Sequence, residues 1–203
     1  MWEASSFQGL AKILAMDCEM VGTGRNGKYS ILARVSIVNH FGKPLYNKYV
    51  KPRRKVTDYG THISGIRPED IENGENFYKV QKEVSNMLRG KILIGHGIRH
   101  DLNVLFLDNQ KGLRFYDHPK ENIRDTAMYN YKPFPLELGL KKGQQPRLKD
   151  LVLKILDESI QVCMKIISSL NIRYIFLFKI PSYFFRKVNI VQFKMQKPPC
   201  NFT

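Results

Sequence analysis

Lys12-Ile13-Leu14-Ala15-Met16-Asp17-Cys18-Glu19-Met20-Val21-Gly22-Thr23-Gly24 sets an apolar run directly before two acids and a turn-prone stretch. The run predicts a buried strand that delivers two carboxylates at its end. Strand side chains alternate, so Asp17 and Glu19 point to one face and Cys18 to the other, toward the core. Two acids on one face repel, and a divalent cation is what neutralises such a pair; hard cations such as Mg²⁺ or Mn²⁺ take oxygen ligands. A bare Asp-x-Glu is equally a solvated strand end, so the surrounding sequence decides between the two.

Outward from that run, Leu32 to Val38 and Leu45 to Val50 are short segments rich in aliphatic, β-branched and aromatic residues, separated by glycines and by Phe41-Gly42-Lys43-Pro44. With Ile13 to Met16 they predict a three-strand antiparallel meander. Phe77 to Leu88 carries apolar residues at 77, 80, 84, 87 and 88, a helical period, and Lys91-Ile92-Leu93-Ile94 before Gly95 predicts a buried strand. A helix over Asp101 to Leu107, a short strand at Ile123-Arg124-Asp125-Thr126 and a helix over Leu148 to Leu156 complete an α/β domain around a mixed sheet.

The chain has 203 residues and a net charge of +15, with a pI near 9.8. That length suits one large domain with an appendage. The charge exceeds what solubility needs and favours a polyanionic partner, nucleic acid first and an acidic membrane surface second. Three cysteines, Cys18, Cys163 and Cys200, lack Cys-x-x-Cys spacing and point to neither a disulfide framework nor a zinc site. The N-terminal residues do not read as a secretory signal, and the most apolar stretch, Ile172 to Ile180, is too short and too charged to span a membrane. From Ser159 to Thr203 there is no Asp, Glu, His or Gly, while seven Lys or Arg remain. That composition marks a divergent basic, apolar tail. The expected division is a short extension over 1–11, a domain over 12–162 and the tail over 163–203.

A second signal lies in Gly95-His96-Gly97-Ile98-Arg99-His100-Asp101, where the buried strand gives way to a helix. Asp101 suits an N-cap at that helix start, and it equally suits a third carboxylate brought beside Asp17 and Glu19; the two roles are compatible. His96 reads as a structural strand-end residue. His100 stays open between metal ligand, substrate contact and ordinary surface residue.

Ala15-Met16-Asp17-Cys18-Glu19-Met20-Val21-Gly22, Ala33-Arg34-Val35-Ser36-Ile37-Val38-Asn39, Tyr49-Val50-Lys51-Pro52, Ser64-Gly65-Ile66-Arg67-Pro68 and Gly95 to Asp101 together resemble the DEDDh 3'-5' exonucleases. Within them the match is to the branch of RNA exonuclease 4 and the interferon-stimulated exonucleases, and it covers roughly Ile13 to Val162. The resemblance implies a ribonuclease H-like fold and removal of nucleoside monophosphates from a 3' end, with single-stranded RNA ends as the partner and no membrane. It implies two divalent cations, Mg²⁺ or Mn²⁺, activating a water and stabilising the leaving oxygen. Asp17, Glu19 and Asp101 match metal ligands of the first two motifs, and Met20 matches a position lining the terminal nucleotide. His100, Lys51, Arg53 and Arg54 join the substrate-binding set; with Lys55, Lys141, Lys142, Arg147 and Lys149, the basic residues would supply phosphate contacts under this resemblance, and a solvated basic face is an equal alternative. Relatives also imply a nuclear or nucleolar place and a role in ribosomal RNA processing.

The family's third motif, His-x4-Asp, should supply a general base and a fourth acid after a segment ending in Ile-Gln-Val. Ile160-Gln161-Val162 is present, but nothing from Cys163 onward can replace either group. Two smaller departures accompany this: an insertion over Asn109 to Asp117, and Gly60 after Asp58-Tyr59 where relatives often carry Arg. Three outcomes therefore stand at this level: an active RNA exonuclease, a nucleic-acid-binding remnant without turnover, or a chain that lacks the terminal helix its sheet needs.

Overall fold

The computed structural model describes residues 12–39, 43–107, 122–128 and 144–156. Its strands are β1 (Ile13–Thr23), β2 (Tyr29–Asn39), β3 (Pro44–Tyr49), β4 (Val56–Asp58), β5 (Ile92–Gly95) and β6 (Ile123–Asp125). The helices are α1 (Thr61–Ser64), α2 (Pro68–Glu72), α3 (Phe77–Leu88), α4 (Ile98–Val104) and α5 (Leu148–Leu156). The sheet order is β3-β2-β1-β5-β6, with β4 pairing to β1. β1, β2 and β3 form the expected antiparallel meander, and β5 and β6 add parallel strands on the other side of β1. This is the mixed α/β sheet that the segment order implied.

The first strand differs from expectation. It does not end at the acids: β1 continues through Asp17 and Glu19 to Thr23, with a bulge between Glu19 and Met20. The apparent turn residues Gly22 and Thr23 stay in the sheet because the chain beside them is packed against it. A Cβ on Gly22 would lie 2.7 Å from Gly27 Cα, and Gly27, at φ +68°, has Asp58 equally close. The reversal comes after Thr23, in a single 3-10 turn over Arg25–Gly27.

Amphipathic α3 carries the main core. Asn76 caps it by accepting hydrogen bonds from the Tyr78 and Lys79 backbone N–H groups at 2.9 and 3.3 Å. Its buried Phe77, Val80, Val84 and Leu88 join Met16, Cys18, Val35 and Ile37 from the central strands in one cluster. Each such side chain contributes about 1.5–3 kcal/mol on burial. A second, smaller cluster of Val21, Ala33, Ile66 and Ile71 forms beyond the bulge, where α2 packs.

The helix expected over Asp101 to Leu107 runs instead over Ile98–Val104. Gly97, in the left-handed region at φ 66°, turns the chain out of β5, and the helix begins at Ile98, three residues before Asp101. No described helix is long and apolar enough to cross a membrane. The extension over 1–11, the insertion over 109–117, Lys141, Lys142, Ile160 to Val162 and the tail lie outside the described residues.

Candidate active site

Alternation along β1 places Asp17 and Glu19 on one face, half-buried, and Cys18 on the other, buried. Their cross-strand partners on β2 are Ser36 opposite Asp17 and Arg34 opposite Glu19, and β3 continues those rows with Asn47 and Tyr49. The acid face is therefore a polar surface. Arg34 donates from Nε to the Asn47 side-chain oxygen at 2.8 Å, and its guanidinium lies 5.1 Å from the Tyr49 ring centre. The residue opposite Glu19 is thus a cation whose guanidinium is engaged on the β3 side, with Asn47 and Tyr49. The motif Ala33-Arg34-Val35 contained this residue, but only the register shows what it faces.

The ladder between β1 and β5 ends at Ala15↔Ile94. Farther along β1, the Cys18 N–H is met by a side chain instead: Asp101 Oδ1 accepts from it at 3.2 Å. Asp101 is 4% exposed. A backbone donor between two acid-bearing residues thus anchors a third carboxylate against the same strand segment. Asp101 is not the N-cap of α4; Gly97 holds that position, and Asp101 lies within the first turn. The capping is done from another strand. Asp125, on β6, accepts from Gly97 N–H at 2.8 Å, Ile98 N–H at 3.1 Å and Ala127 N–H at 2.9 Å. A carboxylate at a helix N-terminus satisfies orphan donors and complements the dipole, and here it leaves Asp101 for another task.

His96 stands where β5 ends, with Nδ1 2.9 Å from Thr126 Oγ1. Burial lowers its pKa from the ordinary imidazole value, against the opposing pull of Asp125, a hydrogen bond with the Pro146 backbone and Asp17. His100 is exposed on α4, as are Lys51, Arg53 and Arg54 in the segment after β3; Arg147 and Lys149 are exposed around the start of α5. Arg147 is paired with Asp150 at 2.8 Å. Met20 is half-buried and packs against the main core.

Carboxylate oxygens are the donors a hard cation takes. The three acids nevertheless do not complete a ligand set: among the described residues no group of three or more His, Cys, Asp or Glu side chains is placed to hold a metal ion.

The exonuclease family model RNase_T matches residues 14–162, ending where the motif pattern stops. RNA exonuclease 4 of Xenopus laevis is 54% identical over 156 residues, 77% of this chain and 34% of that protein. The human RNA exonuclease 4 is 51% identical over the same length, and that of Saccharomyces cerevisiae 43% over 152 residues, 75% of this chain and 48% of that one. The chain thus spans a third to a half of the length of these relatives. Among solved structures, the Saccharomyces cerevisiae Pan2 pseudoubiquitin hydrolase-RNA exonuclease module in complex with AAUUAA RNA superposes with a TM-score of 0.64 at 22% identity, covering 87% of this chain and 29% of that one. The Neurospora crassa Pan2 catalytic unit gives 0.58 at 19%, covering 95% and 32%. These last likenesses establish the ribonuclease H-like fold. The enzymes of the matched family generally use divalent metal ions, and with the match spanning most of its length this chain belongs to the exonuclease family.

Proposed function

We propose that the chain is a 3'-5' exonuclease acting on single-stranded RNA ends and releasing nucleoside monophosphates. The observation that supports this reading is the 3.2 Å hydrogen bond from Cys18 N–H to Asp101, which ties that carboxylate to the backbone of the strand segment carrying Asp17 and Glu19. Those three residues would be part of the set that holds the divalent cations, two Mg²⁺ or Mn²⁺, with the remaining donors supplied from elsewhere; the cations would supply an activated water and stabilise a leaving oxygen. Met20 would line the terminal nucleotide. His100 and the exposed cations Lys51, Arg53 and Arg54 would contact the RNA strand, in keeping with the +15 net charge. A nuclear or nucleolar place and ribosomal RNA processing go with this reading, as do the boundaries 12–162 for the catalytic domain and 163–203 for the tail. Incubation with 3'-labelled and 5'-labelled single-stranded RNA in Mn²⁺ or EDTA tests it. Metal-dependent release of the 3' label as mononucleotide, lost in Asp17→Ala, supports the reading; an intact 3' end under all conditions refutes turnover.

A second reading has its own observation. The acids do not form a complete ligand set among the described residues, and no His or acid follows Glu158 in the sequence. Binding of RNA without hydrolysis is the outcome expected if no other group supplies the general base. Salt-dependent retention of labelled RNA with no product identifies that state.

A further inference from the structure

The face of the sheet carrying Met20 holds a pocket whose walls include two of the basic residues of the proposed substrate set but none of the three carboxylates. Its volume is about 170 Å³, and its walls include Leu32, Lys51, Arg53, Phe77, Asn103 and Phe106. Pockets for drug-sized ligands run to roughly 300–1,000 Å³, so this one has room for a single base ring, with the sugar and phosphate of its nucleotide left at the rim. Two of its walls tie it to the candidate active site: Leu32 is the cross-strand partner of Met20, and Asn103 stands two residues after Asp101 on α4.

The chemistry of the walls is specific. Arg53 is exposed, yet its guanidinium is held over aromatic rings, 4.3 Å from the Phe77 centre and 4.9 Å from Phe106, and it donates to Tyr78 Oη at 3.3 Å. A long cation immobilised in this way loses less freedom on binding than a free surface arginine. Phe106 is itself held at φ 54°, a conformation that a bulky residue rarely adopts. The C-terminal turn of α4 maintains it, through bonds from Phe106 N–H to Asn103 O at 3.0 Å and Leu107 N–H to Leu102 O at 2.8 Å. The strained backbone keeps the Phe106 ring edge-on to Phe77, with centres 5.7 Å apart, beneath Arg53. Lys51 adds a second positive charge, and Asn103 an amide that both donates and accepts.

A planar guanidinium, aromatic rings, an extra ammonium and one amide match one nucleotide of a single strand: the base stacks on arginine or an aromatic ring, and the cations take its phosphate. We infer that this pocket is a subsite for one nucleotide upstream of the 3' end, with Arg53 as the residue that stacks its base. The inference rests on the RNA reading given above.

Binding of 5'-fluorescein oligouridylates of one to five nucleotides to the full chain, in EDTA to prevent turnover, tests it. Lengthening by one particular nucleotide should raise affinity by about tenfold, the size of a single stacking contact. Arg53→Gln and Arg53→Lys should both lose that step, while Arg89→Gln, which changes an exposed arginine away from the pocket, should keep it. All four proteins should melt alike. An even rise with length in the wild-type chain overturns the subsite, as does survival of the step in Arg53→Lys, which would assign it to charge alone. A wild-type chain that binds no oligomer removes the RNA reading along with the subsite, whereas binding without a step removes the subsite only.

Discussion

Asp101 Oδ1 accepts a hydrogen bond from the Cys18 backbone N–H, across a sequence separation of 83 residues and in a buried setting. One contact therefore satisfies a strand donor beyond the end of the β5 ladder and sets the position of a carboxylate. The two functions separate by mutation. Asp101→Asn retains an acceptor oxygen, so thermal stability should stay close to that of the parent while metal-dependent nuclease activity falls to the level of Asp17→Ala. Asp101→Ala leaves a buried N–H without its acceptor and should cost about 1–3 kcal/mol in urea unfolding.

Asp125 accepts from three backbone N–H groups around the start of α4. Asp125→Ala removes the cap of the helix that carries Asp101, at an expected cost of about 2 kcal/mol. Asp125→Asn keeps only one acceptor oxygen and turns an NH2 group toward a backbone N–H, so it should still cost about 1 kcal/mol in the same denaturant titration.

Gly22 is the last residue of the Asp-Cys-Glu-Met-Val-Gly run, and a Cβ there meets Gly27 Cα at 2.7 Å. Backbone cannot yield as a flexible side chain does. Gly22→Ala should destabilise the fold by about 1–3 kcal/mol through overpacking, read as a lower urea midpoint with an unchanged slope.

Acid sensitivity has a structural source in the pair that joins β3 to α3. Tyr46 Oη donates to Glu83 Oε2 at 2.6 Å, and Lys48 Nζ lies 3.2 Å from the same oxygen. The Tyr46 hydrogen bond, aided by Lys48, lowers the Glu83 pKa from its ordinary value of 4.5; burial and Glu83 raise that of Tyr46. Because the folded-state Glu83 pKa is depressed, its stabilisation is present above the unfolded value and disappears as pH falls through the folded one. Thermal midpoints measured from pH 6 to pH 3 should fall less steeply in Glu83→Gln than in the parent. Tyr46→Phe should flatten the same window and cost about 1.5 kcal/mol at neutral pH.

Much of this architecture was legible in the residues themselves. The period of Phe77 to Leu88 matched α3 at both ends, because an amphipathic stripe and the Asn76 cap agree on the same boundaries. The meander was equally plain. Helix α4 was misplaced because its cap is supplied by Asp125, which lies 28 residues beyond Gly97 and gives no local signal. Strand β1 was read as too short because Gly22 and Gly24 look like a turn, whereas close backbone packing explains the first and the reversal needs the second, at φ 77°. At the site, alternation put Asp17 and Glu19 on one face of β1, as the strand has them, and it was the surrounding motifs rather than alternation that suggested a role for them. The positions of Arg34 opposite Glu19 and of Phe106 under Arg53 depend on register and on a left-handed backbone, neither of which a single sequence displays.

In the proposed function Asp17, Glu19 and Asp101 all contribute to one cation-binding site. Mn²⁺ binding, followed by electron paramagnetic resonance of the free ion, measures it most directly in the parent and in Asp17→Asn, Glu19→Gln, Asp101→Asn and Asp125→Asn. Binding should be saturable, weaken by at least about tenfold in each of the first three variants and be unchanged in Asp125→Asn, whose carboxylate serves the helix. Equal Mn²⁺ affinity in the parent and in Asp101→Asn would contradict it, leaving the contact between Asp101 and Cys18 as a feature of the fold alone.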